Sequence, residues 1–347
     1  METNKIDISI ITPVYNGEKY LNKLVDNIAQ LNKDINYEII FINDCSKDNS
    51  KTICESLIQM HNNIKLINND SNIGIAESRN KGLKASRGKY ITFVDQDDYL
   101  NKGYSFFTNL LENNDADFLY SNYYVSKNNK ETNILVNKND RLCKKEELIK
   151  LERFLFNSQT FPINDNYSIK SSIWNCVFKK DLIDKNNLKF FRYTSYEDDW
   201  LFLIEALKKS NKVYLSKESY YCWVIRKNTE SHKNKYIDNY FEKSLKLLDY
   251  AIKSLKDTGL SNAELKEYIL YSNKTILLWC FYNECENKSN IKNNEKINAL
   301  INYYEKDIKK FINISNSIDK LMLSLILHRH YNLAKFIQLK LIKIKYL

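Results

Sequence analysis

In the first hundred residues four β-branched runs alternate with helical patterns, and this rhythm constrains the fold more tightly than any other feature. The runs are Ile8–Val14, Glu38–Ile42, Ile64–Ile67 and Lys89–Val94, with helical patterns between them at about 18–31, 50–60 and 75–85. Near-continuous apolar runs suit strands buried on both faces, as parallel strands are. The alternation predicts an α/β fold with a mostly parallel sheet flanked by helices. Ligands of such sheets bind at the carboxyl ends of the strands. Polar clusters sit at those ends: Asn43-Asp44-Cys45-Ser46 after the second run and Asp95-Gln96-Asp97-Asp98 after the fourth.

The pattern then changes. Phe118–Val125 and Thr132–Val136 flank Lys127-Asn128-Asn129-Lys130, which reads as a hairpin, and residues 140–232 are mixed. From about residue 236 the chain is helical, with long segments near 236–256, 262–286, 292–312 and 316–345. The 347 residues suffice for two domains. We expect them at 1–232 and 233–347.

Composition removes several classes. With 43% hydrophobic residues, 6 Gly and 2 Pro, the chain is neither disordered nor low-complexity. The net charge of +10 comes from 53 basic and 43 acidic residues, but only 7 of the basic residues are Arg. The Lys excess matches an equal abundance of Asn, which resembles base composition rather than a charged partner. Specific DNA readout leans on Arg, so no nucleic-acid partner is expected. The 7 Cys form no C-x-x-C spacing, which predicts free thiols in a reducing cytosol. The N-terminus has no secretory pattern, and no apolar run of about 18 residues predicts a membrane span.

Neither a G-x-G-x-x-G after a strand nor a G-x-x-x-x-G-K-[ST] is present, which argues against dinucleotide and P-loop sites. The strongest chemical signal is Asp95-Gln96-Asp97-Asp98. Three carboxylates within four residues repel one another unless a cation lies among them, and hard oxygen ligands suit Mg²⁺ or Mn²⁺ with a diphosphate. An acidic turn that caps the next helix is the other reading. Asp44, Asp48 and Arg79 fall on other strand-end loops and favour a site.

Four blocks, Ile10–Asn16 with Leu21, Asn43–Ser50, Asn72-Ile73-Gly74 with Ser78–Gly82 and Ala85-x-x-Gly88, and Phe93–Asp98, together resemble glycosyltransferase family 2. The four blocks occur in order over about 5–105, and the likeness is patchier to about 232. It implies a GT-A (Rossmann-like) fold and sugar transfer from a nucleotide diphosphate, with UDP the commonest. By that resemblance Asp44 would contact the base, and Pro13, Tyr15 and Asn16 would line its pocket. Arg79 would hold the base or diphosphate side. Asp95 would touch ribose beside Gln96, and Asp97, with Asp95, would hold Mn²⁺ or Mg²⁺. The chain departs from the family at Asn43, where Asp is usual, and at Cys45, where Gly is usual.

Further on, Tyr196–Phe202 resembles the family's E-D motif. One of Glu197, Asp198 and Asp199 would then be the general base, with Asp198 preferred. Acidic residues also suit a first helical turn without any chemistry. Tyr220–His232 resembles a Tyr-rich strand and basic segment. There Arg226 would clamp the leaving diphosphate and His232 could assist, although a lone His is more often structural. Trp174 could stack on an acceptor sugar or pack in the core.

Residues 320–347 carry six basic and no acidic residues among apolar ones. Such a helix can lie on an anionic membrane, pack as core, or form a homodimer. The expectation is an inverting, metal-dependent glycosyltransferase acting on a glycan or lipid-linked acceptor in bacterial surface-polysaccharide synthesis. It would be cytoplasmic, or peripheral at the inner face of the plasma membrane. No Q-x-x-R-W motif is present, which favours adding one or a few sugars. The alternatives are transfer to a polyprenyl phosphate, or a catalytically silent partner that binds nucleotide or glycan.

Overall fold

The computed structural model describes residues 5–157, 169–193, 197–226, 236–286 and 290–337. It divides into two compact units. The first is Met1–Leu155, Asn164–Arg192 and Tyr196–Lys227, and the second is Phe156–Ile163, Tyr193–Ser195 and Asn228–Leu347.

The first unit opens with the expected alternation. It runs β1 (Ile8–Val14), α1 (Leu21–Leu31), β2 (Tyr37–Asn43), α2 (Ser50–Met60), β3 (Ile64–Asn68), α3 (Ile75–Ala85) and β4 (Tyr90–Phe93). The helix expected from Glu18 begins at Leu21, because residues 17–20 form a turn closed by Tyr20 N–H donating to the Gly17 carbonyl. Then follow β5 (Tyr99–Leu100), α4 (Tyr104–Asn114), β6 (Phe118–Lys127), β7 (Lys130–Ile134), β8 (Arg141–Lys144) and α5 (Lys145–Asn157). The last elements are β9 (Cys176–Lys179), α6 (Lys180–Asn186), α7 (Asp198–Lys209) and β10 (Lys212–Ile225). Asn128 and Asn129 both have positive φ, 51° and 61°, as a tight hairpin turn between β6 and β7 requires.

One sheet joins these strands in the order β3-β2-β1-β4-β9-β6-β10-β5, with β7 on β6 and β8 on β10. The strands β3, β2, β1 and β4 are parallel, in a register that pairs Ile10 with Ile39 and with Thr92. Beyond β4 the sheet is mixed, since β9 lies antiparallel to both β4 and β6. The chain leaves β1 for β2 on one side and returns to β4 on the other. A crevice therefore opens outside the carboxyl ends of β1 and β4. The core against this part of the sheet is aromatic: Phe190 stacks on Phe202 at 4.1 Å and Phe93 meets both edge-on. Helix α7 is buried along most of its length, which anchors its acidic first turn.

The second unit contains α8 (Tyr240–Lys256), α9 (Asn262–Glu286), α10 (Asn290–Asn313) and α11 (Ser317–Leu327). Leu277, Phe281, Ile301, Ile308, Met322 and Ile326 are among its core residues. The Asn316 side chain caps α11 by accepting from Asp319 N–H at 2.8 Å. The single helix expected over 316–345 is broken. Arg329 takes a left-handed φ of 60°, His330 N–H donates to the Leu325 carbonyl and Arg329 N–H to that of Ile326. That is a Schellman ending. Helix resumes only at 331–337, and 338–347 lie outside the described residues. The apolar pattern continues through the break, so periodicity alone does not detect it. No helix among the described residues is long and apolar enough to cross a membrane. All seven cysteines are free, as expected.

Candidate active site

The strand-end loops converge through hydrogen bonds that the sequence spacing does not reveal. Tyr15 N–H donates to Gln96 Oε1 and Gln96 Nε2 donates to the Tyr15 carbonyl, both at 3.0 Å. Gln96 thus fastens the loop after β4 to the loop after β1. A Cβ at Gly17 would lie 2.2 Å from Gln96 Oε1, so a side chain there would push the Gln96 amide from this position. Asn16 has φ 51° and its Oδ1 accepts from Lys47 N–H at 2.8 Å, while its own N–H donates to Ser46 Oγ. Asp48 accepts from Ser50 N–H and Oγ at the start of α2 and from Glu18 N–H. Asn16 and Asp48 therefore shape the rim. Tyr15 remains 36% exposed and is available to a ligand, and Pro13 lies within β1 in register with Ile42.

Asp44 is buried at the end of β2. It accepts from Asn69 Nδ2, Ile73 N–H and Gly74 N–H at 2.8–2.9 Å. Gly74 has φ 85°, which favours glycine, and it leads directly into α3. The exposed guanidinium of Arg192 lies beside Gly74 and has no ion pair among the described residues. Sequence reasoning did not single out Arg192, which stands outside every recognised block.

Arg79 lies within α3 rather than on the strand-end loop expected for it, and it is the centre of the site. Its side chain is 3% exposed, and it reaches Asp95 Oδ1 at 3.3 Å, Asp198 Oδ2 at 3.1 Å and Asp199 Oδ1 at 2.5 Å. The guanidinium also sits 5.4 Å from the Phe190 ring centre. Burial works against its charge, but Asp199, Asp95 and Asp198 hold the guanidinium protonated. The surplus of carboxylates acts in the other direction. Burial first, then Asp198 and Asp95, pushes Asp199 up to about 7, against the pull of Arg79. The network is buried and differs from a solvated surface ion pair, which contributes little.

Arg226, at the end of β10, pairs with Asp97 Oδ2 at 2.8 Å and also reaches the Asp97 carbonyl. It lies 4.7 Å over the Tyr20 ring. Burial and the neighbouring Asp95 raise Asp97, against Arg226. Asp98 was part of the acidic cluster but was not assigned a role. It is buried and accepts from Tyr221 Oη at 2.7 Å and Val224 N–H at 2.8 Å, locking β10 to the acidic loop. Burial, Asp95 and Asp97 raise it well above the ordinary carboxylate value. Tyr221 Oη also accepts from Asp95 N–H at 3.1 Å.

Trp174 stacks on Tyr221 at 4.5 Å, with the planes inclined by 23°, and meets Tyr123 edge-on. One indole face is therefore covered by Tyr221. Glu197 precedes α7 and its carbonyl accepts from Leu201 N–H at 2.8 Å, so it serves at least as a helix start. His232 lies outside the described residues.

No group of three or more His, Cys, Asp or Glu converges as a ready-made metal cage among the described residues. The donor set nevertheless fits a hard divalent cation whose shell a diphosphate completes. Asp95 and Asp97 offer carboxylate oxygens, and burial, then the neighbouring Asp95, raises Asp97. Carboxylates also outnumber the two guanidiniums that face them.

Residues 9–174 match the family model "Glycosyl transferase family 2". EpsJ of Bacillus subtilis (strain 168), described as an uncharacterized glycosyltransferase, is 26% identical over 308 residues, 85% of this chain and 83% of its own length. The poly(ribitol-phosphate) beta-N-acetylglucosaminyltransferase TarP of Staphylococcus aureus (strain N315) is 27% identical over 230 residues. That match spans 65% of this chain and 64% of TarP. The crystal structure of S. aureus TarS 1-349 in complex with UDP-GlcNAc has the same fold. It aligns with a TM-score of 0.63 at 18% identity, over 95% of this chain and 90% of that one.

Proposed function

Since the chain belongs to glycosyltransferase family 2 through residues 9–174, we propose that it transfers a sugar from a UDP-sugar to a hydroxyl of a bacterial surface glycan or lipid-linked acceptor, with inversion. The observation that carries this is the position of Arg79, which ties the carboxylate after β4 to the two carboxylates opening α7. Donor-side and base-side groups thereby share one buried cation.

The donor's base would lie by Asp44, Pro13, Tyr15 and Asn16, and its ribose by Asp95 and Gln96. Asp95 and Asp97 would hold Mn²⁺ or Mg²⁺, which supplies charge neutralisation for the diphosphate. Arg226 would move onto the departing diphosphate, for which its fork of donors is suited.

Asp198 acts as general base. Its Oδ2 is held by Arg79, while Oδ1 makes no hydrogen bond among the described residues and can take the acceptor hydroxyl proton. The acceptor oxygen then bonds to the anomeric carbon from the face opposite the diphosphate. The anomeric carbon–oxygen bond breaks and UDP departs with its electron pair. Asp199, held at 2.5 Å by Arg79, positions that guanidinium. Support for UDP is that TarS is seen with UDP-GlcNAc, and support for a surface glycan is the named acceptor of TarP.

The C-terminal segment supports contact with an anionic membrane. Ile318, Leu321, Leu333 and Phe336 are about half exposed, among Lys320, Arg329 and Lys335.

The deciding experiment is UDP release from a panel of UDP-sugars, with a glycan acceptor and Mn²⁺, by the wild type and Asp198→Asn. Release from one donor, lost in the variant, is expected. Equal release by both proteins would remove Asp198 from the mechanism, and no release from any donor would overturn the reading.

A further inference from the structure

The second unit holds a cavity of about 540 Å³ lined by Tyr193, Leu245, Lys246, Asp249, Tyr250 and Lys253. That volume lies within the range of ligand pockets, about 300–1,000 Å³. Five of its residues lie at positions that fall on one face of α8. Tyr193 supplies the opposing aromatic group, its ring 6.1 Å from that of Tyr250 and inclined by 43°. Phe156 backs Tyr250 at 6.4 Å, which fixes the wall.

The charges are unequal. Lys253 is paired with Asp249 at 2.7 Å, whereas Lys246 has no ion pair among the described residues. A single carboxylate is too few for a metal, and two ammonium groups disfavour an acyl chain. Two tyrosine faces suit the C–H edges of a sugar or polyol and bring hydroxyls for hydrogen bonding. An uncompensated ammonium suits a phosphate.

We infer that this cavity binds a sugar-phosphate or polyol-phosphate repeat of the acceptor chain. The inference rests on the acceptor reading given above. Tyr193 stands five residues before Asp198 in the sequence.

The test is calorimetric titration of the full chain with a ribitol-phosphate oligomer and with neutral maltohexaose, using the wild type and Lys246→Glu. Lys246 is exposed, so this variant should fold. Saturable binding of the phosphate oligomer is expected, with weaker or no binding of maltohexaose. Affinity should fall at least tenfold in Lys246→Glu and stay unchanged when UDP is present. No oligomer binding, equal binding by both proteins, displacement by UDP or preference for maltohexaose would each overturn the assignment. Hydrolysis of each UDP-sugar of the panel, followed in the same samples, reports donor chemistry by itself. Its absence counts against the transferase reading, whereas oligomer binding alone decides the cavity.

Discussion

The guanidinium of Arg79 lies 3.1 Å from the carboxylate of Asp198, 119 residues further along the chain. This pairing joins the second turn of α3 to the first turn of α7 and holds the Asp198 carboxylate in place. The buried guanidinium compensates three carboxylates at once, so its removal affects stability as well as turnover.

Arg79→Ala should destabilise the first unit by about 3–5 kcal/mol, because it leaves buried carboxylates without their cation. Urea unfolding at pH 7.5 measures this. Arg79→Lys should recover only part of the loss, since an ammonium cannot reach Asp95, Asp198 and Asp199 together. Equal stability of the alanine variant and the wild type would reduce Arg79 to a surface ion pair.

Asp198→Asn should lower kcat by about 10²–10⁴ with little change in the donor KM, as removal of a general base does. Steady-state UDP release at saturating acceptor gives both numbers. A rise in donor KM at constant kcat would instead place Asp198 in donor binding.

Asp199 is pushed up to about 7 from an ordinary 3.8. The folded protein then holds more protons than the unfolded chain between those values, and stability falls as pH rises through that window. Asp199→Asn removes the titration. Its Tm should match the wild type near pH 4 and exceed it by about 2 °C or more at pH 8. Parallel melting curves at every pH would contradict this.

Thermal shift with the preferred UDP-sugar should depend on Mn²⁺. A ligand at about 100 times its Kd adds about 2.7 kcal/mol. EDTA should abolish most of the shift, and Asp97→Ala should make the protein indifferent to EDTA. A full shift in EDTA would remove the metal from donor binding.

Replacing the half-exposed Leu321 and Leu333 by Ser, which leaves the core residues Met322 and Ile326 in place, should reduce flotation with anionic phosphatidylglycerol vesicles and leave recovery with phosphatidylcholine vesicles unchanged. Equal flotation of both proteins would discount the tail as a membrane contact.

Much of the first unit could be read directly, because local physics repeats at short range there. The β-branched runs of β1–β4 and the Asn-Asn turn between β6 and β7 announce themselves within a few residues. The helical second unit was readable in outline, but the Schellman ending at Arg329 was not. It rests on backbone conformation at one residue, while the apolar period runs on past it. Asp98 was visible only as part of an acidic run. Its partners Tyr221 and Val224 lie more than 120 residues away. Arg192 carries no local pattern at all.

The sequence by itself determined the strand–helix order, the strand-end clusters of carboxylates and the likeness to glycosyltransferase family 2, since each is written in neighbouring residues. Only the tertiary structure decided which charges meet: Arg79 with Asp95, Asp198 and Asp199, and Arg226 with Asp97. Coulombic and hydrogen-bond partners are chosen by distance in space, and burial sets their strength. A chain read residue by residue carries neither quantity.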